Sequence, residues 1–105
     1  YFVSMGDADL ENADFSDSEI ELLDAQVANF KNANFRNSLL VGGNFCDSDM
    51  TGTDFTHVIF SDFLIFEKAK LQGIILKNVE FKDGIEINLK ETIYEGKSLP
   101  AEFRK

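Results

Sequence analysis

Apolar residues recur at every fifth position along most of the chain, and this period constrains the fold more than any other feature. The series starts with Met5, Leu10 and Phe15 and runs without interruption to Ile65. A helix repeats every 3.6 residues and a strand every two, so a period of five belongs to neither. It indicates a small structural unit that is repeated along the chain.

Two further series accompany the large apolar one. Two residues before each large residue stands a residue that is usually small, such as Ala8 or Ala13, and between the two lies an Asp or Asn in most copies, such as Asp9 or Asp14. Asp and Asn side chains bond nearby backbone N–H groups and tolerate unusual φ angles, so they suit tight turns. The pattern predicts a narrow interior filled by the large residue, with the small one near a corner.

The unit Ala-Asp/Asn-Leu/Phe-x-x resembles that of the pentapeptide-repeat family. It is clearest at residues 8–10, 13–15, 28–30 and 33–35. The resemblance implies an all-β fold, a right-handed parallel β-helix of square cross-section, in which one pentad forms each side and four form a coil. We therefore expect about four coils in residues 1–84 and a short C-terminal cap in residues 85–105.

Stacking such coils aligns residues that are twenty apart and predicts four interior ladders. They are Leu10–Phe30–Met50, Phe15–Phe35–Phe55, Ile20–Leu40–Phe60 and Ala25–Phe45–Ile65. Phenylalanine rings at the strand spacing of about 4.8 Å pack face to offset face. In one pentad the usual volumes are exchanged, because Leu23 stands in the small position and Ala25 in the large one.

After Ile65 the pattern resumes one residue late, with Leu71, Leu76 and Phe81 as the large residues. We place the extra residue near 66–68 and expect a bulge to absorb it. Beyond Gly84 the period fades. Alternating apolar residues at 85–89 predict a strand, 92–94 a second short strand, and 98–103 a single helical turn.

The chain is acidic, with a formal net charge of −9, and the charge is uneven. The first coil carries an acidic ring and no basic residue; its members are Asp7, Asp9, Glu11, Asp14, Asp17, Glu19, Glu21 and Asp24. The second coil carries Lys31 and Arg36 and no acidic residue, and the third returns to acid. The acid is therefore expected as a ring at one end.

Some pentapeptide-repeat proteins resemble B-form DNA in width and charge and bind type II topoisomerases. The resemblance makes such an acidic inhibitor the alternative function here. A DNA mimic needs negative charge along its whole length. The basic second coil and the short solenoid, about 20 Å tall at the strand spacing, make this the weaker interpretation.

Catalytic and metal-binding constellations are not evident in the sequence. His57, expected to face outward near Asn37 and Lys77, has no partners for a triad. Cys46 is expected to be a packed or half-exposed thiol, and a single cysteine excludes an internal disulfide. The run from Asp7 to Glu11 lacks the glycine and final glutamate of a calcium loop. We expect no enzyme activity and no cofactor.

The outward apolar residues are the most informative candidates for a site. Leu39 and Ile59 are twenty apart and replace the usual Asp or Asn, with Val41 and Leu22 nearby and with Leu64 and Ile75 as further outward apolar residues. A contiguous exposed apolar strip indicates contact with another molecule or with the chain's own cap. The predicted interface comprises Leu22, Leu39, Val41, Ile59 and Leu64.

The sequence thus favours a non-enzymatic scaffold or protein–protein interaction module of bacterial type. Its expected partner is another protein or a second copy of the chain, without direct binding to nucleic acid or membrane. No apolar run approaches the roughly 20 residues that span a bilayer, and one cysteine fits a reducing cytoplasm. The chain begins at Tyr1 inside the period, so we expect it to be part of a larger protein.

Overall fold

The fivefold period folds as a parallel β-solenoid. The computed structural model describes residues 3–92. Its strands are β1 (Val3–Ser4), β2 (Glu19–Asp24), β3 (Leu39–Asn44), β4 (Ile59–Ile65), β5 (Glu80–Phe81) and β6 (Glu86–Asn88). The first five stack in chain order, and β6 also pairs with β4, every ladder being parallel. The predicted all-β solenoid of about four turns is confirmed.

Each coil has four sides, which we number by the residue buried at the centre of each side in the second coil. Side one is centred on Phe30, side two on Phe35, side three on Leu40 and side four on Phe45. Sides three and four are joined by continuous strands such as β2 and β3. Sides one and two are linked to neighbouring coils by single bridges, for example Asp9 with Asn29 and Asp14 with Asn34.

The corners of the solenoid are residues with a left-handed backbone. Asp and Asn hold most of these positions in the first three coils, with φ between 58° and 64° at Asp7, Asn12, Asp17, Asn32, Asn37 and Asp47. These two residue types adopt such angles at low cost. Leu22, Val27 and His57 hold equivalent corners. The left-handed corners are therefore filled by polar residues at most positions, and a few corners hold apolar residues instead.

The Asp and Asn residues directly before the buried position have a different task. The Oδ1 atom of Asp14 accepts a bond from the N–H of Ser16 (2.9 Å), and Asn34 does the same for Arg36 (2.9 Å). The predicted turn chemistry is confirmed. The left-handed φ angles, however, occur three residues later, so two separate polar columns shape each turn.

The interior is a column of stacked side chains. Phe35 lies between Phe15 and Phe55, with ring centroids 5.0 and 5.1 Å apart and planes inclined by 15° and 21°. This is the offset stacking that the ladder predicts. The exchange of volumes in β2 is also confirmed, because Leu23 and Ala25 are both buried.

The fourth ladder differs from the prediction. Val41 pairs with Ser61 and Gly43 with Leu64, so the extra residue lies inside β4 and not near 66–68. Asp62 takes the left-handed corner angle (φ 72°), which makes Phe63 the inserted residue.

Two predicted positions change with this register. Leu64 and Phe66 are completely buried, while Ile65 is partly exposed. The ladder is therefore Ala25–Phe45–Phe66, and both the inward placement of Ile65 and the outward placement of Leu64 were wrong. The later ladders are confirmed: Leu71 and Leu76 are buried, and Phe81 stacks on Phe60 at 5.4 Å.

The strand predicted at 85–89 is present as β6. It continues the parallel ladder in register, because Glu86 pairs with Phe63 and Ile87 with Leu64. The N–H of Lys68 donates to the carbonyl of Lys90 (2.9 Å), so coil hydrogen bonding extends past residue 84. A capping role for 85–105 remains a prediction. The helical turn and most of the strand at 92–94 lie outside the described residues. In the described part of the chain, no helix is long and apolar enough to cross a membrane.

Candidate interaction surface

The core of the predicted apolar strip lies on side three. Leu39 pairs directly with Ile59 across neighbouring coils, and Val41 follows on the same side opposite Ser61. Leu39, Val41 and Ile59 are all partly exposed. Glu19 precedes this column in the first coil and Glu80 follows it in the fourth. The strip is therefore an apolar patch of two coils between two glutamates.

The other residues predicted to be outward and apolar lie elsewhere. Leu22 is 43 % exposed but sits at the corner between sides three and four. Ile75 is also 43 % exposed and lies on side two, where it bridges to Asp54. Leu64 belongs to the interior. The structure thus brings together three of the five predicted interface residues and places Leu22 beside them.

Leu22 forms one wall of an apolar groove that sequence reasoning missed. The groove has a volume of about 390 Å³ and is lined by Leu22, Leu23, Asp24, Asn44, Phe63 and Ile65. Gly42, with φ 81°, lies between its walls. A Cβ on Gly42 would stand 2.7 Å from the Phe63 ring and 3.3 Å from a Leu22 methyl group. Glycine is needed here for both reasons.

Sides three and four differ from the other two sides in carrying no cation in the first three coils. Within residues 19–26, 39–46 and 59–67 there are carboxylates and no lysine or arginine; the carboxylates are Glu19, Glu21, Asp24, Asp62 and Glu67. The second-coil cations lie on the other two sides, where Lys31 Nζ is 3.7 Å from Asp49 and Arg36 Nε is 3.9 Å from Asp54. Charge therefore differs between sides, which the prediction of a ring at one end did not include.

The residues of the predicted acidic ring do encircle the first coil. All are exposed except Asp24, which is half-buried; the exposed ones are Asp7, Asp9, Glu11, Asp14, Asp17, Glu19 and Glu21. On side one, the amide Nδ2 of Asn29 donates to Asp9 (3.1 Å) and to Glu11 (3.4 Å). In the segment from Asp7 to Glu11, which was compared with a calcium loop, two carboxylates thus already accept hydrogen bonds from the second coil.

Comparison with known proteins identifies the repeat. Residues 28–63 match the family model for pentapeptide repeats, in eight copies. Residues 28–63 of the chain therefore contain pentapeptide repeats. Curated protein sequences give no significant match to it.

Solved structures similar to this chain share its fold. Rfr23, a pentapeptide-repeat protein from the cyanobacterium Cyanothece 51142, is 22 % identical, with a TM-score of 0.75 over 88 % of this chain and 60 % of that one. HetL from Nostoc sp. strain PCC 7120, which is involved in heterocyst differentiation regulation, is 22 % identical, with a TM-score of 0.53 over 92 % and 43 % of the two chains. The present chain thus spans 60 % and 43 % of their lengths.

Two aspartates on sides one and two have lowered pKa values. Hydrogen bonds from the Ser16 side chain and backbone lower the pKa of Asp14. For Asp49, desolvation by burial raises the pKa, but bonds from the Thr51 hydroxyl and N–H and the charges of Lys31 and Lys70 outweigh it, so the pKa falls. Both carboxylates are therefore held in the ionised form by turn and ladder contacts.

The candidate reactive residues are His57 and Cys46. His57 is an exposed corner whose N–H donates to the Lys77 carbonyl (2.9 Å). Desolvation raises the pKa of Cys46, as do a hydrogen bond to Asp47 (3.4 Å) and its negative charge. A raised pKa leaves the thiol protonated and weakly nucleophilic. Among residues 3–92, no group of three or more metal-ligating side chains occurs.

Proposed function

We propose that this protein is a non-enzymatic interaction module that binds another protein through sides three and four. The observation that carries the proposal is the coincidence of the Leu39–Val41–Ile59 patch with the apolar groove on the same two sides. Apolar surface that can be removed from water stabilises a complex by about 25 cal/mol per Å² before association costs.

The fold itself does not require apolar residues at this patch. The equivalent positions of the first and fourth coils hold Glu19 and Glu80, which pair in the same column. Side three also runs into side four within one strand, so no Asp or Asn is needed there to bond a turn. Leu39 and Ile59 are therefore free to serve a contact, because neither the core nor a turn fixes their chemistry.

The test is the double variant Leu39→Asp with Ile59→Asp. We expect the melting temperature to remain near that of the parent, because glutamates already stand in the same column. We expect loss of protein capture and of any self-association, because two carboxylates would have to be desolvated in an apolar contact. Chemical cross-linking in a cell extract, sedimentation and thermal melting measure these properties together.

The matched control is Asn12→Asp with Asn32→Asp. It adds the same two charges at exposed left-handed corners on the opposite edge of the solenoid and should change neither capture nor sedimentation. A double aspartate variant of side three that captures the parent's partners equally well would refute the proposal. A large loss of stability would instead assign Leu39 and Ile59 to the fold.

A gyrase supercoiling assay examines the topoisomerase alternative on the same proteins. If the parent inhibits supercoiling and the side-three variant inhibits equally or more strongly, acidic mimicry of DNA is the better explanation. An apolar docking site predicts the reverse, because the added charge would disrupt the contact.

A further inference from the structure

We propose that the groove between Leu22 and Phe63 binds a protein segment with one apolar side chain flanked by lysine or arginine residues. The proposal rests on the function proposed above and specifies the chemistry of the partner. It draws on three observations: the shape of the groove, the departures from the repeat that create it, and the charge around it.

The groove is suited to a single apolar anchor. Its floor is Leu23, which is 2 % exposed, and its walls are Leu22, Phe63 and Ile65. A volume of about 390 Å³ is at the lower end of cavities that hold small ligands, roughly 300–1,000 Å³. An aliphatic or aromatic side chain that lies in the groove would lose contact with water on the face turned toward these residues.

Three departures from the repeat meet at this one corner. Leu22 occupies a left-handed position (φ 53°) of the kind that Asp or Asn fills at most corners of the first three coils. Gly42 lets the Phe63 ring and a Leu22 methyl group approach the backbone closely, and Phe63 is the single inserted residue of β4. Each departure costs backbone freedom or regularity. Their convergence builds the groove, which a regular pentad stack would lack.

The charge around the groove favours a basic partner. Asp24 lines the groove, and Asp62 and Glu67 lie on the same two sides. The stretches of the first three coils that form these sides contain no lysine or arginine. An acidic rim raises the rate and specificity of association with cations and repels acidic partners. A symmetric second copy would place two acidic surfaces against each other, which argues against self-association here.

The probe is the synthetic peptide GSKRLKRSG, labelled with fluorescein and followed by fluorescence anisotropy. Two companions separate its features: one has serine for the leucine, and the other has serines for all lysines and arginines. We expect the complete peptide to bind at least about tenfold more tightly than either companion, because anchors and rim charges act together. Binding should weaken as NaCl is raised from about 50 to about 300 mM, because added salt shortens the Debye length and screens the attraction between the peptide and the rim carboxylates.

Variants locate the binding. Leu22→Asn removes a wall and introduces a residue that tolerates the left-handed corner, so it should fold at least as well as the parent and bind about tenfold more weakly. Asp24→Asn keeps the bond to the Gln26 N–H and removes the charge, with an expected loss of about fivefold. Asp14→Asn makes the same change on side two, and binding should stay unchanged.

Equal binding of the peptide without leucine, or unchanged binding to the folded Leu22→Asn protein, would reduce the interaction to non-specific charge and overturn the proposal. No binding of the complete peptide at about millimolar concentration would overturn it as well. If partner capture still depends on Leu39 and Ile59 in that case, the proposed function as an interaction module stands, and only the proposal that the groove binds a basic segment with an apolar anchor is refuted.

Discussion

Val27 holds a backbone conformation that its side chain disfavours, so Val27→Asn should stabilise the protein. Its φ angle is 62°, and the side chain is 56 % exposed. Asp7 and Asp47 hold the same corner one coil before and one coil after. A β-branched residue in this region is an outlier, and a left-handed conformation costs an L-residue roughly 1–2 kcal/mol. Asparagine removes much of that cost because its side chain bonds locally.

The opposing effect is the loss of the valine's contacts. Complete burial of a valine contributes about 1.5–3 kcal/mol. Val27 has less than half of its surface buried, and Asn keeps the Cβ and Cγ atoms, so the loss should stay below about 1 kcal/mol. The net gain is about 0.5–1 kcal/mol, equivalent to an increase in melting temperature of about 2–8 °C. Thermal melting and urea unfolding at constant m value measure it.

The reciprocal change supplies the control. Asn12 is exposed with φ 64°, so Asn12→Val should lower the free energy of unfolding by about 1–2 kcal/mol. Val27→Thr keeps the branched Cβ and should shift it by less than about 0.5 kcal/mol. If Val27→Asn melts below the parent while Asn12→Val melts with it, the corner angle does not carry the cost assigned to it.

Three further measurements address the core, the acidic ring and the pH dependence of stability. Phe35→Ala should cost roughly 3–5 kcal/mol in urea unfolding, because the ring is fully buried and stacked on both faces, and a loss below about 1 kcal/mol would contradict the ladder. The melting temperature should rise from low to moderate salt, because screening weakens repulsion among the exposed carboxylates of the first coil; a flat or falling profile would show that they are paired or dispersed. Because the pKa of Asp49 is lower in the folded state, this carboxylate stabilises the protein at pH values above the ordinary aspartate pKa of about 3.9. That stabilisation is lost as the pH falls through the lower pKa of the folded state. Asp49→Asn should therefore reduce the acid-induced loss of stability below about pH 4.

The regular part of the fold follows from the sequence because the interior admits few solutions. A large residue every fifth position fills a column that only stacked coils can provide, and Phe15, Phe35 and Phe55 stack as that period requires. The position of the slip does not follow as directly. Ile65 and Phe66 are both apolar, and either one satisfies the pattern. The choice is made by Asp62, which suits the left-handed corner, and by Phe66, whose ring fills the interior.

The groove could not be derived from local pattern. It depends on Leu22, Gly42 and Phe63, which come together only when three coils are stacked in the correct register. Two local signals were present, the adjacent glycines at 42–43 and the single break in the period. The distribution of charge over the four sides could not be predicted from the sequence either. Lys31 and Arg36 neutralise acids on sides one and two, and a count of charges per coil does not distinguish sides.

Deletion of Phe63 would show whether this inserted residue is required for folding or only for binding at the groove. Asp62 already has the corner angle, and Leu64 and Phe66 already fill the small and large interior positions. The shortened coil would match the twenty-residue spacing of the coils before it, so we expect cooperative unfolding within about 2 kcal/mol of the parent. The lost contacts of the half-buried ring should be partly offset by removal of the bulge. Peptide binding should fall at least as far as in Leu22→Asn, because a wall of the groove is absent. A deletion variant that fails to fold would show that the insertion belongs to the architecture, and one that folds and binds like the parent would show that Phe63 has no part in recognition.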